Sequence, residues 1–207
     1  MTGPLASLHA LDEWLRRGIP RGFADRPVAP DVLRQVLSLA AMAPSEFDLR
    51  PARFLVVREA GTRRAIRSAA YRHPLVAEAP VLVVVLGYLN PDLDGRDAPR
   101  GPELAGRIRT AMTPLGRAER AERAGRGGAV AAGILLVAAE AAGLAAAYID
   151  NLDRAPLRLA LGIPDDHVVC GIVAIGHPAA RADFADPPGL DDVCFEEHFG
   201  QPWDPGA

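Results

Sequence analysis

Apolar positions fall into stretches whose spacing differs along the chain. From Ala129 to Ala142 a single charge, Glu140, interrupts an alanine-rich run far longer than the usual strand of about 5–6 residues, which predicts a buried helix. The run is too short and too alanine-rich to span a bilayer. Gly128 with Ala132, and Ala129 with Gly133, stand one helical turn apart, where missing side-chain bulk would let another helix approach. Gly143 supplies a stop, and Leu144 to Ile149 reads as a short buried strand ending in the polar pair Asp150-Asn151.

Upstream, the apolar residues of Leu5 to Arg17 recur at helical spacing and end in Arg16-Arg17-Gly18. A second helix is predicted from about Pro30, which suits a first helical position, with Leu33, Val36, Leu37 and Ala40 on one face and Pro44 beyond its end. Arg53 to Arg58 is a strand candidate and Thr62 to Ala70 a basic helix. Pro80 to Tyr88 (PVLVVVLGY) is a strand buried on both faces. A short helix near Arg154 to Leu161 and a strand from His167 to Ile175 complete the core pattern.

Two regions lack that pattern. Residues 90–126 are rich in arginine, glycine, proline and acids, with helix-like pieces only at Glu103 to Thr110 and Leu115 to Ala124, and read as a surface excursion over a pocket. Within it, Asn90 to Gly95 resembles the start of a calcium loop, but Gly101 stands where the bidentate carboxylate is required, so a solvated turn is expected. Residues 179–207 read as an arm that wraps over something. No linker divides the 207 residues, and one domain is expected over 1–207.

The balance of 23 basic and 26 acidic residues offers no general attraction to nucleic acid or membrane, so a partner must be recognised locally. Cys170 and Cys194 cannot make a disulfide framework, and a reduced, cytoplasmic protein is expected. Cys170, inside an apolar run, reads as an inert buried thiol. No glycine-rich dinucleotide fingerprint, phosphate loop, zinc-helix motif or nucleophile elbow is present, and the histidines have no metal-like spacing. A bound organic cofactor would need only a positioning site.

Four segments, in order, resemble the FMN-dependent nitroreductase family. Arg17-Gly18-Ile19-Pro20-Arg21-Gly22-Phe23 is similar to the family's Arg-x-Ser-x-Arg/Lys-x-Phe, with Ile19 in place of the serine. Ala43-Pro44-Ser45 through Phe54 is similar to Ala-Pro-Ser-x-x-Asn-x-Gln-Pro-Trp-x-Phe, with Asp48 for asparagine, Arg50 for glutamine and Ala52 for tryptophan. The long helix with Tyr148-Ile149-Asp150-Asn151 resembles the stretch whose backbone N–H faces flavin N5. Val168 to Pro178 and the tail around Phe195-Glu196-Glu197 resemble the family's closing strand and arm, with Arg181 as the basic residue before that arm.

The resemblance implies an α+β, nitroreductase-like sandwich: a central mixed, mainly antiparallel sheet flanked by helices, in an intertwined homodimer with FMN at the interface. It implies that Arg17, Gly18, Ile19, Arg21 and Arg181 hold the FMN phosphate, a role suited to guanidinium forks. Pro44, Ser45, Asp48, Arg50 and Asp150 would meet the ring or ribityl chain, and the Asn151 backbone amide would face N5. Asp48 can only accept and Arg50 only donate, so they could pair with each other. The implied activity is hydride transfer from NAD(P)H through FMN to a nitroaromatic, quinone or enone, with no nucleic acid or membrane partner. The altered loop and tail leave two alternatives: an oxygen-dependent flavin-consuming enzyme like the one that makes the cobalamin lower ligand, and a divergent flavin-binding or interaction dimer.

Overall fold

The computed structural model describes residues 7–91, 101–181 and 186–204. Helix α1 (Leu8–Arg16) starts where the Ser7 hydroxyl accepts the Ala10 N–H at 3.2 Å, and ends at Gly18 in the left-handed region (φ 68°). Strand β1 (Pro20–Phe23) follows, then α2 (Pro30–Ala41) with Pro30 in its first turn, as expected. After a loop and a short 3-10 turn, β2 (Ala52–Val57) enters the sheet. The Glu59 carboxylate caps α3 (Ala60–Ala69), and α4 (Pro74–Glu78) is a single proline-initiated turn. Strand β3 (Val81–Tyr88) is buried through Gly87.

Beyond α5 (Pro102–Met112) comes α6 (Arg117–Ala141), then β4 (Ala145–Ile149), α7 (Arg154–Leu161), β5 (His167–Gly176), β6 (Pro178–Arg181) and α8 (Leu190–Val193). The helix predicted from Ala129 begins at Arg117, so the piece predicted over Leu115 to Ala124 is its first half and does not belong to a separate excursion. The Asn90 to Gly95 turn falls mostly outside the described residues.

The four-stranded sheet has the order β2-β3-β5-β4, with every neighbour antiparallel. Its two central strands are buried on both faces, which accounts for their unbroken apolar sequence. One face packs on α2 and α6 through Val36, Val83, Leu135, Val173 and Ile175. The other packs beneath α3, α4 and α7 through Ile66, Val76, Leu82, Leu157 and Ile172. The result is the helix–sheet–helix sandwich of the expected α+β class. A separate ribbon, β1 with β6, closes the sheet end where β3 begins and β5 stops; Phe23 lies against Gly176 and Pro80.

Helix α6 touches all four strands of that sheet. Its small residues divide between two sides. A Cβ on Gly128 would stand 2.2 Å from Cys170 Sγ, so this glycine lets the helix lie on β5, not on another helix. Ala132 is buried on the same side, whereas Ala129, Val130, Gly133 and Val137 face outward.

Candidate functional site

The loop between α2 and β2 is held in an unusual backbone shape. Phe47 (φ 56°), Asp48 (φ 57°) and Arg50 (φ 44°) all occupy the left-handed region, which costs a side-chain-bearing residue about 1–2 kcal/mol each. Several bonds hold the strain in place. The Ser45 hydroxyl accepts the Arg50 N–H at 2.7 Å, and the Asp48 carboxylate accepts Arg50 Nε and Nη2 at 2.9 and 3.1 Å. Asp48 and Arg50 thus do pair with each other, and that pairing holds the guanidinium more firmly protonated, chiefly through the hydrogen bond and then through charge. Arg53 Nη1 donates to the Arg50 and Ala52 carbonyls, and Glu46 takes an ion pair from Arg123 on α6 at 2.8 Å. Strain fixed by this many partners marks a site whose geometry matters.

Beside the loop lies a cavity of about 430 Å³. Pro44, Ser45 and Leu49 form one wall, Tyr88 and Leu89 at the end of β3 another, and Gly127 and Val130 of α6 a third. Met112, Arg120, Arg123 and Arg126 close the side towards α5. Close approach of α6 again depends on glycine: a Cβ on Gly127 would meet Pro51 Cγ at 2.5 Å. The Arg53 guanidinium lies 5.1 Å from the Tyr88 ring centroid, fixing that ring from behind.

The other predicted residues sit elsewhere in the chain. Arg17 reaches Glu140 at the far end of α6 (3.6 Å), where the carboxylate is only 5% exposed. Ile19 and Arg21 are exposed beside it, Gly18 is the turn that ends α1, and Arg181 pairs through its backbone with Pro20. From Gly127, at the cavity, to Glu140 is thirteen residues of helix, or about 20 Å at 1.5 Å per residue. The loop and the arginine pair therefore do not converge within one protomer. Asp150 and Asn151 form a third group, at the exposed end of β4, where Asp150 is ion-paired with Arg154. Asn151 does not take a positive φ.

With this geometry in view, the nitroreductase family model matches residues 16–177. The chain belongs to the nitroreductase family. It is 33% identical over 187 residues to an NADH dehydrogenase of Thermus thermophilus, covering 86% of this chain and 91% of that one. It is 30% identical over 172 residues to a Streptomyces coelicolor protein named NADH dehydrogenase/NAD(P)H nitroreductase, covering 81% and 84%. Among solved structures, a nitroreductase of Exiguobacterium sibiricum crystallised with FMN superposes with a TM-score of 0.78 at 15% identity, over 90% of this chain and 96% of that one. The gut-bacterial enone reductase CLA-ER gives 0.74 at 20% identity, over 89% and 95%. The chain is a flavin oxidoreductase in the general sense.

The cavity chemistry suits a flavin ring. Flat apolar walls are offered by Pro44, Leu49, Leu89 and Val130, and Ser45, whose oxygen accepts from Arg50, keeps its own O–H to donate to a ring carbonyl. Among the described residues no group of three His, Cys, Asp or Glu side chains could hold a metal. Cys170 is buried, as expected, and that burial pushes its thiol up to about 11. Sequence reasoning missed Tyr88, Met112, Arg120 and Arg123 as site residues. The available signal was the arginine cluster of residues 107–126, which becomes legible only when Leu115 to Ala124 is joined to the long helix.

Proposed function

We propose that this protein is an FMN-dependent NAD(P)H oxidoreductase, acting as a cytoplasmic homodimer on a small organic acceptor such as a nitroaromatic, quinone or enone. The observation that carries the reading is the apolar cavity bounded by the strained Pro44–Arg50 loop in a chain of this family. The names of the Thermus and Streptomyces relatives, the FMN-bound neighbour and the enone reductase support it.

When bound, FMN supplies the hydride chemistry; the chain supplies position and electrostatics. Pro44, Leu49 and Val130 would exclude water from the ring, and the Ser45 O–H would donate to it. Asp48 and Arg50, already paired, would present an edge without net charge. The Asn151 amide, beside Asp150, would face the reacting ring nitrogen. Arg17 and Arg21, with Gly18 and Ile19 shaping their turn and Arg181 beside them, would hold the phosphate. Because the arginine pair and the loop are about 20 Å apart in one chain, a single flavin can use both only if the arginines come from a second copy. An outward α6 face of Ala129, Val130, Gly133 and Val137, and a tail exposing Phe199 and Trp203, give such a copy apolar surface to cover.

The purified protein should be yellow, or take up FMN, and should oxidise NAD(P)H with a neutral quinone present. Colourless protein that fails to take up FMN overturns the reading. Arg21→Ala should weaken FMN binding tenfold to a hundredfold, the loss of about 1.5–3 kcal/mol expected for a charge-assisted bond, measured by flavin fluorescence. A stable monomer in sedimentation would remove the interfacial site.

A further inference from the structure

Three arginines line the cavity, and their charges are not equally balanced. Arg123 is neutralised by Glu46 and Arg126 by Glu122. Arg120, half-buried on the wall, donates among the described residues to neutral acceptors: Nε to the Leu115 carbonyl (3.1 Å), Nη1 to Asn90 Oδ1 (3.2 Å) and Nη2 to the Met112 carbonyl (3.4 Å). Among the described residues no carboxylate lies within ion-pairing distance of it. The two carbonyls belong to the end of α5 and the turn after it, and a helix C-terminus offers about half a unit of negative charge, which leaves about half of the guanidinium charge uncompensated. A guanidinium carries five N–H groups. Three are committed, so two remain.

A cation held by carbonyl oxygens, in a wall whose other arginines are each paired with a carboxylate, favours an anionic oxygen group on whatever enters. We propose that the cavity is selective for an acceptor bearing a carboxylate, a small aromatic or unsaturated organic acid seated on Arg120. This rests on the oxidoreductase reading above for the word acceptor, but not for the binding preference. A dinucleotide phosphate offers the same chemistry, and the test separates the two.

The probes are 4-nitrobenzoate and its neutral isostere 4-nitrobenzamide, with binding measured calorimetrically on the purified protein without nicotinamide cofactor. The parent should bind the carboxylate about tenfold or more tightly than the amide, the scale of one charge-assisted bond. Asn90→Asp keeps the acceptor at Nη1 and places a carboxylate against the cation. It should bring the ratio close to one while leaving amide affinity unchanged. Arg120→Gln should lose the same preference, and Arg120→Lys should keep part of it. Equal binding of both probes by the parent, or equal weakening of both in the variants, overturns the proposal. So does an intact carboxylate preference in Asn90→Asp accompanied by a raised KM for NADPH but not NADH with a neutral quinone, which would assign Arg120 to the dinucleotide phosphate. Because binding is read without turnover, a protein that fails to take up FMN still gives an answer.

Discussion

Gly128→Ala is a severe test of how α6 sits on the sheet. The added Cβ would lie 2.2 Å from Cys170 Sγ, 3.2 Å from Cys170 Cβ and 3.6 Å from the Leu86 carbonyl. Ordinary heavy-atom contact begins near about 3.5 Å, so more than 1 Å must be recovered by lifting a 25-residue helix or displacing a buried central strand. Overpacking of this kind costs about 1–3 kcal/mol, and the short, buried Cys170 side chain puts this case at the upper end. Alanine returns about 0.8–1.0 kcal/mol in helix propensity. The net expectation is a loss of about 2 kcal/mol, read as a lower midpoint in urea with an unchanged slope. Adding Cys170→Ala removes the sulfur and should restore most of the loss, so the two changes are strongly non-additive. Gly133→Ala is the control: nothing lies within 4 Å of its Cβ, and the variant chain should gain the helix term of about 1 kcal/mol, unless a second copy covers that face. A Gly128→Ala protein as stable as the parent would refute the packing described for α6.

Three further outcomes are expected. With Cys170 raised to about 11 and buried, and Cys194 part-exposed, native protein at pH 8 should react quickly with a disulfide reagent at one thiol per chain, and at two after unfolding. Glu59 is held below its usual range of about 4.5 by the Gly61 and Thr62 N–H groups at 2.7 and 2.6 Å. Its contribution is therefore present above that pH and is lost as pH falls through the lower folded value, so the parent's advantage over Glu59→Gln in thermal melts should shrink below pH 4.5. In FMN-loaded protein, Arg50→Gln leaves Asp48 unpaired and should lower the flavin potential, Asp48→Asn should raise it, and the double variant should lie near the parent; unchanged potentials would mean that the pair faces away from the ring.

How far the sequence could be read depended on whether the cause of a structure is local. Strand β3 was legible because burial on both faces forces an unbroken apolar run from Val81 to Leu86. Helix α2 was legible because Pro30 marks its start. Strand β1 was not: Pro20–Phe23 becomes a strand only by pairing with β6, more than 150 residues later and with irregular register. The start of α6 was misplaced because Gly125, Gly127 and Gly128 look like a break, when the last two are sites of close contact with Pro51 and Cys170. In the site, a family motif pointed to Ser45, Asp48 and Arg50. Arg120 carries no motif, since its surroundings exist only once the end of α5 folds back against α6.

The order β2-β3-β5-β4 leaves β2 as an edge strand within the chain. Among the described residues its outer backbone N–H and C=O groups have no ladder partner, and its sequence, Ala-Arg-Phe-Leu-Val-Val, is the kind that recruits further strands when exposed. Arg53 within it and Arg58 just after it put positive charge at both ends of the Phe54–Val57 apolar run, and two copies meeting edge to edge would bring those charges together. Both arginines therefore guard the nascent chain against aggregation. Arg58 touches no part of the cavity, so its replacement by valine would be felt first as inclusion bodies during expression.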